Sequence, residues 1–348
     1  MRRYTVAMNA PRVESIRFAD DRLELLDQRR LPAEERWLPI GSAAEATAAI
    51  RDLVVRGAPA IGIVAAYACV LAARHRGDDR AAWLADLDEL VAARPTAVNL
   101  RWAVERMRRV VETVPGAAVK DLRAEAVRLH REDRSANEAM AKHGAGRIEP
   151  GSTVLTHCNT GSLATGGTGT ALGVIVRAWR EDRLARVLAC ETRPWLQGLR
   201  LTAWELAREG IPAEVLVEGA AAGLMQRERV DWVITGADRV TANGDVANKV
   251  GTLMLAVLAR RFGARMMVVA PLSTLDPGTP DGAGIEIEQR EASEIWRAAG
   301  IEAPPPGVVA WNPVFDVTPA ELVDCIVTER GVLEPPYDER IPALFDGA

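Results

Sequence analysis

The chain has 348 residues, 43 Lys+Arg against 48 Asp+Glu for a net charge of −5, and is 48% hydrophobic and 26% charged. That composition fits a soluble globular protein long enough for two cores, and its acidic balance argues against a nucleic-acid or membrane-surface partner. No uncharged apolar run reaches the ~18 residues of a membrane span, and the opening MRRYTVAMNAPRVESIRF lacks the apolar stretch of a secretory signal.

The first ~40 residues alternate short apolar runs with turns at Tyr4–Met8, Val13–Phe18 and Arg22–Leu26, the pattern of a small antiparallel sheet. From Ser42 to His143 apolar residues recur three and four apart in AAEATAAIRDLVV, AIGIVAAYACVLAARH, AAWLADLDELVAAR and LRWAVERMRRVVETV, which predicts a helical domain. GAGRIEPGS (144–152) marks a boundary, so the expected domains are 1–145 and 146–348. Beyond it, strands are expected at Thr153–His157, Arg186–Cys190, Glu214–Val217, Asp231–Thr235, Arg265–Ala270 and Val308–Trp311. Helices are expected at Thr170–Arg180, Leu196–Glu209, Ala220–Arg229, Val246–Phe262, Ile287–Ala299 and Pro319–Arg330. This alternation predicts an α/β fold: an N-terminal small sheet with a helical domain, then a doubly wound, Rossmann-like parallel sheet.

Ligands of such sheets bind at the carboxyl ends of the strands. Here those ends carry Thr156-His157-Cys158-Asn159-Thr160-Gly161, Glu191-Thr192-Arg193-Pro194-Trp195-Leu196-Gln197-Gly198, and Gly236-Ala237-Asp238-Arg239, the last followed by Asn248-Lys249. Gly166-Gly167-Thr168-Gly169 imitates a dinucleotide fingerprint poorly, because about nine residues separate it from the strand. Phosphate held by backbone N–H groups fits better, and a plain strand-to-helix turn remains the alternative. Cys69, Cys190 and Cys325 sit in apolar runs as small hydrophobes do, whereas Cys158 sits among polar residues at a strand end, where a thiol can work as acid or base. None of the four cysteines has CxxC spacing and no histidines pair at helical distance, which predicts no metal site, no disulfide scaffold and a reducing cytoplasm. Asp238 follows an apolar strand, where desolvation favours its neutral, proton-donating form; a turn-capping aspartate is the alternative. Lysine is confined to Lys120, Lys142 and Lys249, and an Asn-Lys pair at the first turn of a helix suits a phosphate or sugar hydroxyl, against a solvated surface lysine. Arg56, in Arg56-Gly57-Ala58-Pro59, and Arg94, in Arg94-Pro95-Thr96, offer guanidinium forks for phosphate, or else are surface charges.

Together RGAPAIG, ARPTAVNL, THCNTGSLATGGTGTALGV, ETRPWLQGLRLTAWEL, GADRVTANGDVANKVGT and NPVFDVTPAEL resemble the methylthioribose-1-phosphate isomerase family of methionine salvage. That family shares a wider group with the alpha, beta and delta regulatory subunits of translation initiation factor 2B, and the likeness runs from about Arg51 to Arg330. The resemblance implies Cys158 and Asp238 as the catalytic pair and Arg56, Gly57, Ala58, Arg94, Gln197, Asn248 and Lys249 as substrate contacts. It also implies a phosphosugar substrate, a homodimer and no cofactor. The chain departs from the family pattern at Glu218-Gly219-Ala220-Ala221-Ala222, where Asp, then Ser or Asn, then Met is expected, at Trp311, where Phe is usual, and at IEIEQR. The expected reaction is aldose–ketose isomerisation of 5-methylthioribose 1-phosphate. The alternatives are a 5-deoxyribose 1-phosphate or ribose 1,5-bisphosphate isomerase, or a non-catalytic binding protein like the initiation-factor relatives.

Overall fold

The computed structural model describes residues 13–94, 97–113 and 119–346, so the strand expected at Tyr4–Met8 lies outside the described residues. The N-terminal sheet is antiparallel and joins β1 (Ile16–Ala19), β2 (Arg22–Leu26) and β3 (Trp37–Ile40). Asp20 and Asp21 turn the first hairpin with φ of 48° and 58°, the left-handed pair that matches strand twist. Helices α1 (Ala43–Arg51), α2 (Ala58–Arg76), α3 (Arg80–Ala92), α4 (Val98–Thr113) and α5 (Val119–Ala145) follow. By length and composition α2 could cross a membrane, yet it is the buried axis of this bundle from Ala60 to Ala73. Its Gly62 lets α4 close in: a Cβ there would sit 2.9 Å from the Asn99 carbonyl.

α5 ends at Ala145, and its Met140 and Ala145 already belong to the core of the second half. That half contains β4 (Ser152–Thr156), α6 (Ala171–Arg180), β5 (Leu184–Cys190), α7 (Ala203–Arg208), β6 (Ala213–Leu216), α8 (Ala221–Arg227) and β7 (Trp232–Thr235). A hairpin of β8 (Arg239–Thr241) and β9 (Val246–Lys249) precedes α9 (Thr252–Phe262) and β10 (Arg265–Val269). The chain closes through β11 (Leu275–Asp276), α10 (Ser293–Arg297), β12 (Phe315–Thr318), β13 (Cys325–Thr328), β14 (Gly331–Leu333) and α11 (Tyr337–Ala343).

The large sheet runs β14-β13-β10-β7-β4-β5-β6 and is parallel except for β14. The chain winds outward from β4 to β6, then returns to start again at β7 on the other side of β4. This is the doubly wound order, and its switch point opens a crevice between the carboxyl ends of β4 and β7. A smaller sheet, β11-β8-β9-β12, folds over that end.

Three expectations are corrected. The sixth parallel strand is Cys325–Thr328, not Val308–Trp311, and it replaces most of the helix expected at Pro319–Arg330, of which a single 3₁₀ turn remains at Ala320–Leu322. A run buried on both faces suits an inner parallel strand as well as a core helix, and pairing with β10 decides it. The helix expected from Val246 begins at Thr252, because Val246–Lys249 pairs with β8 and β12 and Gly251 at φ 104° breaks the run. Of Ile287–Ala299, only Ser293–Arg297 is helical.

Candidate active site

One cleft at the switch point is lined by every predicted site residue: Arg56, Gly57, Ala58, Arg94, Cys158, Gln197, Asp238, Asn248 and Lys249. Cys158 and Asp238 reach it from the carboxyl ends of β4 and β7, one from each side of the reversal. Cys158 has φ 64°, which turns the chain sharply off the strand. Its N–H donates to Thr192 Oγ1 at 2.9 Å, and its carbonyl accepts from Thr202 Oγ1 at 2.6 Å. Gln197 Nε2 donates to Cys158 Sγ at 3.3 Å, which ties the thiol to the loop after β5. Gln197 leads into a π-helical turn, Gly198–Thr202, whose first residue must be glycine, since a Cβ would fall 1.8 Å from the Cys190 carbonyl.

Burial pushes the Asp238 carboxyl above the usual carboxylate range, against the pull of Lys249, Arg94 and Arg56. Burial likewise pushes the Lys249 ammonium down, while the negative charges of Cys158 and Asp238 hold it up. Lys249 is the last residue of β9 rather than the first turn of a helix, which corrects the expectation for the Asn-Lys pair. Its Nζ donates to the Val314 carbonyl at 2.8 Å and lies 5.3 Å from the centroid of the Phe315 ring across the β9–β12 pairing. Beside it Asn248 Nδ2 donates to Thr252 Oγ1 at 3.0 Å.

The helical domain supplies the opposite wall. Gly57, at φ 97°, brings the start of α2 against the loop after β4; a Cβ there would lie 2.6 Å from the Ala164 Cα. Arg56 Nη2 donates to the carbonyl and to Oδ1 of Asn159, both at 2.7 Å. Arg94 lies 3.7 Å from Glu288. Arg56 Nε, Arg94 Nε and Gln197 Oε1 are buried without a hydrogen-bond partner, polar groups that a bound anion and hydroxyl would satisfy.

The glycine loop is used differently from the expectation that it cradles phosphate. Gly166, Gly167 and Thr168 line a separate cavity toward α5. The Gly166 carbonyl accepts from His130 Nε2 (3.1 Å) and Arg134 Nε (2.8 Å), and Gly169 N–H donates to Asn137 Oδ1 at 2.8 Å. Thr160 and Thr170 face the cleft instead, and Thr165 lines both cavities. His157 is fully buried and kept neutral by desolvation, its Nε2 donating to the Val250 carbonyl at 2.9 Å. The Glu218 departure does not line the cleft. Its carboxylate accepts the N–H groups of Thr192 (3.0 Å) and Arg193 (2.7 Å) and so pins the loop that carries Gln197. Among the described residues no group of His, Cys, Asp and Glu is arranged to hold a metal.

The sequence model of the Initiation factor 2 subunit family matches residues 54–335, a span that holds every predicted site residue. The chain belongs to that family. Within the family it is 57% identical over 327 residues to the methylthioribose-1-phosphate isomerase of Thioalkalivibrio sulfidiphilus, covering 93% of this chain and 94% of the relative. It is 56% identical over 345 residues to that of Alkalilimnicola ehrlichii, covering 97% and 100%. Among solved structures it is similar to 5-methylthioribose 1-phosphate isomerase from Pyrococcus horikoshii OT3, with TM-score 0.88, 38% identity and 96% of each chain covered. It is also similar to the A. fulgidus protein described as translation initiation factor eIF-2B subunit delta, with TM-score 0.82, 38% identity and coverage of 96% and 99%.

Proposed function

We propose that the chain is an aldose–ketose isomerase that converts 5-methylthioribose 1-phosphate to 5-methylthioribulose 1-phosphate. The observation that carries this reading is the meeting of a desolvated carboxyl, a thiol and three cations (Arg56, Arg94, Lys249) in one cleft. Phosphate on the anomeric oxygen blocks ordinary ring opening, so a proton must be delivered to the ring oxygen while the phosphate stays attached. Asp238, whose carboxyl burial pushes toward the protonated form, donates it and the C1–ring-oxygen bond breaks. The Cys158 thiolate, beside Gln197, takes the C2 hydrogen as a proton and an enol phosphate forms. The thiol returns that hydrogen to C1 as the C2 hydroxyl gives its proton to the Asp238 carboxylate, which resets both groups. Arg56 and Arg94 balance the phosphate charge throughout.

The rest of the lining favours a 5-methylthio over a 5-phospho substituent. Leu53, Ile61, Trp195, Ile285, Val314 and Phe315 are apolar, and the two further arginines are matched: Arg239 lies 3.5 Å from Asp276, and Arg290 bonds Glu294. The thiol and carboxyl in the cleft weigh against a purely binding role. We also place the protein in the cytoplasm, where Cys158 stays reduced, and as a homodimer.

A substrate panel tests the reading. The kcat/KM for 5-methylthioribose 1-phosphate should exceed that for ribose 1-phosphate by at least ~10-fold, the worth of a small apolar group in such a pocket. Turnover of 5-deoxyribose 1-phosphate should fall between, and ribose 1,5-bisphosphate should be poorest. A bisphosphate preference, or no turnover of any member, would overturn it.

A further inference from the structure

Glu205 is a buried carboxylate that no step above uses. It sits on α7, 2% exposed, and among the described residues no Arg or Lys lies within ion-pair distance of it. We propose that Glu205 is a positioning residue that acts through Asn159 to fix how Arg56 meets the substrate phosphate. The proposal rests on the isomerase reading, in which Arg56 takes that phosphate.

The geometry is a directed relay. Glu205 Oε1 accepts from Asn159 Nδ2 at 2.7 Å, and Oε2 accepts from the Ser162 N–H at 2.6 Å. Thr202 Oγ1 also accepts from Asn159 Nδ2, at 3.2 Å, while its own proton goes to the Cys158 carbonyl. With its NH₂ held by two acceptors, the Asn159 amide can present only Oδ1 to Arg56 Nη2. A carboxylate imposes this direction because it accepts at both oxygens. The loop is closed tightly around it: a Cβ on Gly161 would come 2.3 Å from Glu205 Oε2. Burial pushes the Glu205 pKa up to about 7, and the donors from Asn159 and Ser162 and the charge of Arg56 oppose that rise. An acid placed at such cost to the charged form, with one oxygen accepting from the residue beside Cys158, serves the site.

Glu205→Gln keeps the shape but turns one acceptor into a donor. Either Asn159 flips and points its NH₂ at the Arg56 guanidinium, or the Ser162 N–H loses its partner. The test is steady-state kinetics with 5-methylthioribose 1-phosphate at pH 8.5, where Glu205 is the carboxylate, with inorganic sulfate as a competitive probe of the phosphate pocket. Glu205→Gln should raise both KM and the sulfate inhibition constant ~10-fold while kcat falls less than ~3-fold, a split that general loosening of the fold would not produce. Asn159→Ala, which leaves Glu205 its Ser162 partner, should reproduce that rise and covers the case in which Glu205→Gln fails to fold. The double variant Glu205→Gln/Asn159→Asp restores a donor facing an acceptor between positions 205 and 159 and between 159 and Arg56, with the Thr202 hydroxyl free to turn its proton from the Cys158 carbonyl to the new carboxylate, and should recover part of the loss. Values of KM and sulfate inhibition within twofold of wild type in Glu205→Gln, or in Asn159→Ala, would overturn the proposal. Arg56→Met separates the two claims: if it leaves sulfate binding intact, the phosphate reading of the cleft fails, whereas a loss there beside a silent Glu205→Gln sinks only the relay.

Discussion

The loop from Cys158 to Thr170 has a cavity on each side, and the two differ in what their polar groups do. The cavity toward α5 is the roomier, about 540 Å³ against about 120 Å³ for the cleft, and holds Arg134, Arg177 and Arg180. Those charges are spent internally: Arg134 Nε donates to the Gly166 carbonyl, Arg177 pairs with Glu181 at 2.7 Å, and Arg180 pairs with Glu209. Among its described lining residues only the Thr168 hydroxyl is buried without a partner. In the cleft, by contrast, two guanidinium nitrogens and an amide oxygen lack partners, and burial displaces the protonation of both Asp238 and Lys249. Unmet polar groups mark a working site better than volume does, and better than shifted protonation, which His130 shows in the other cavity as well.

The most direct way to break this contrast is to disable one side at a time. Asp238→Asn keeps shape and hydrogen bonding but cannot deliver a carboxylic proton, and Cys158→Ser substitutes a far weaker acid for the shuttle. Each should lower kcat by ~100-fold or more with folding intact by circular dichroism, and the double variant should be little worse than the poorer single one, because the two act as a unit. On the other side of the loop Arg177→Ala should keep kcat/KM within ~2-fold. Cys190→Ser, another strand-end thiol but wholly buried in the sheet core, should cost stability and spare the chemistry. Loss of turnover in Cys190→Ser with Cys158→Ser still active would identify the wrong sulfur.

A smaller but more specific effect is expected at Lys249. Its ammonium fits between the Val314 carbonyl and the Phe315 ring while facing Cys158 and Asp238. A planar guanidinium is wider and cannot keep that carbonyl bond without displacing the ligand. Lys249→Arg should therefore lose at least ~10-fold in kcat/KM, about 1.4 kcal/mol, in a chain that otherwise uses arginine almost throughout. Normal kinetics would mean that the ammonium is a structural strut alone.

The cleft was legible in the sequence because a doubly wound sheet gathers its strand ends, so Cys158, Asp238 and the loop bearing Gln197 could be assigned before any geometry was known. The scarcity of lysine helped: of the three in the chain, Lys249 lines the cleft. What misled was apolar spacing without length. Val246–Lys249 runs on into the pattern of α9, and Cys325–Thr328 satisfies helical and strand periods alike. The Asn243-Gly244 pair, with Gly244 at φ 90°, was an available hairpin signal for β8 and β9. Glu205 was also readable as a charge on the buried stripe of Leu201, Thr202 and Leu206, but its partner Asn159 is distant in sequence, and only the fold joins them.

The smallest expected effect belongs to the roomier cavity and concerns stability. His130 accepts at Nδ1 from the Tyr67 hydroxyl (2.9 Å) and donates from Nε2 to the Gly166 carbonyl (3.1 Å), an arrangement that needs the neutral ring. Burial, helped by the charge of Arg134, pushes its pKa down to about 4. The unfolded chain takes up that proton near the ordinary value of about 6.5, so in between it holds a proton that the native state excludes. The stabilisation from neutral His130 is thus full above pH ~6.5 and drains away as the pH falls toward 4, about 1 kcal/mol being gone by pH ~5.5. Asp133, Asp316 and Glu205 slope the other way, since burial raises their pKa values to about 6, about 6 and about 7. These carboxyls are common to wild type and a His130→Gln variant, so the difference between the two isolates the histidine. In denaturant titrations at pH 7.5 and 5.5, wild type should lose ~1 kcal/mol more on acidification than His130→Gln does, while kcat/KM of the variant at pH 7.5 stays within ~3-fold. Equal losses in both proteins would show that the ring protonates without cost, and that the cavity toward α5 is less closed than its hydrogen bonds indicate.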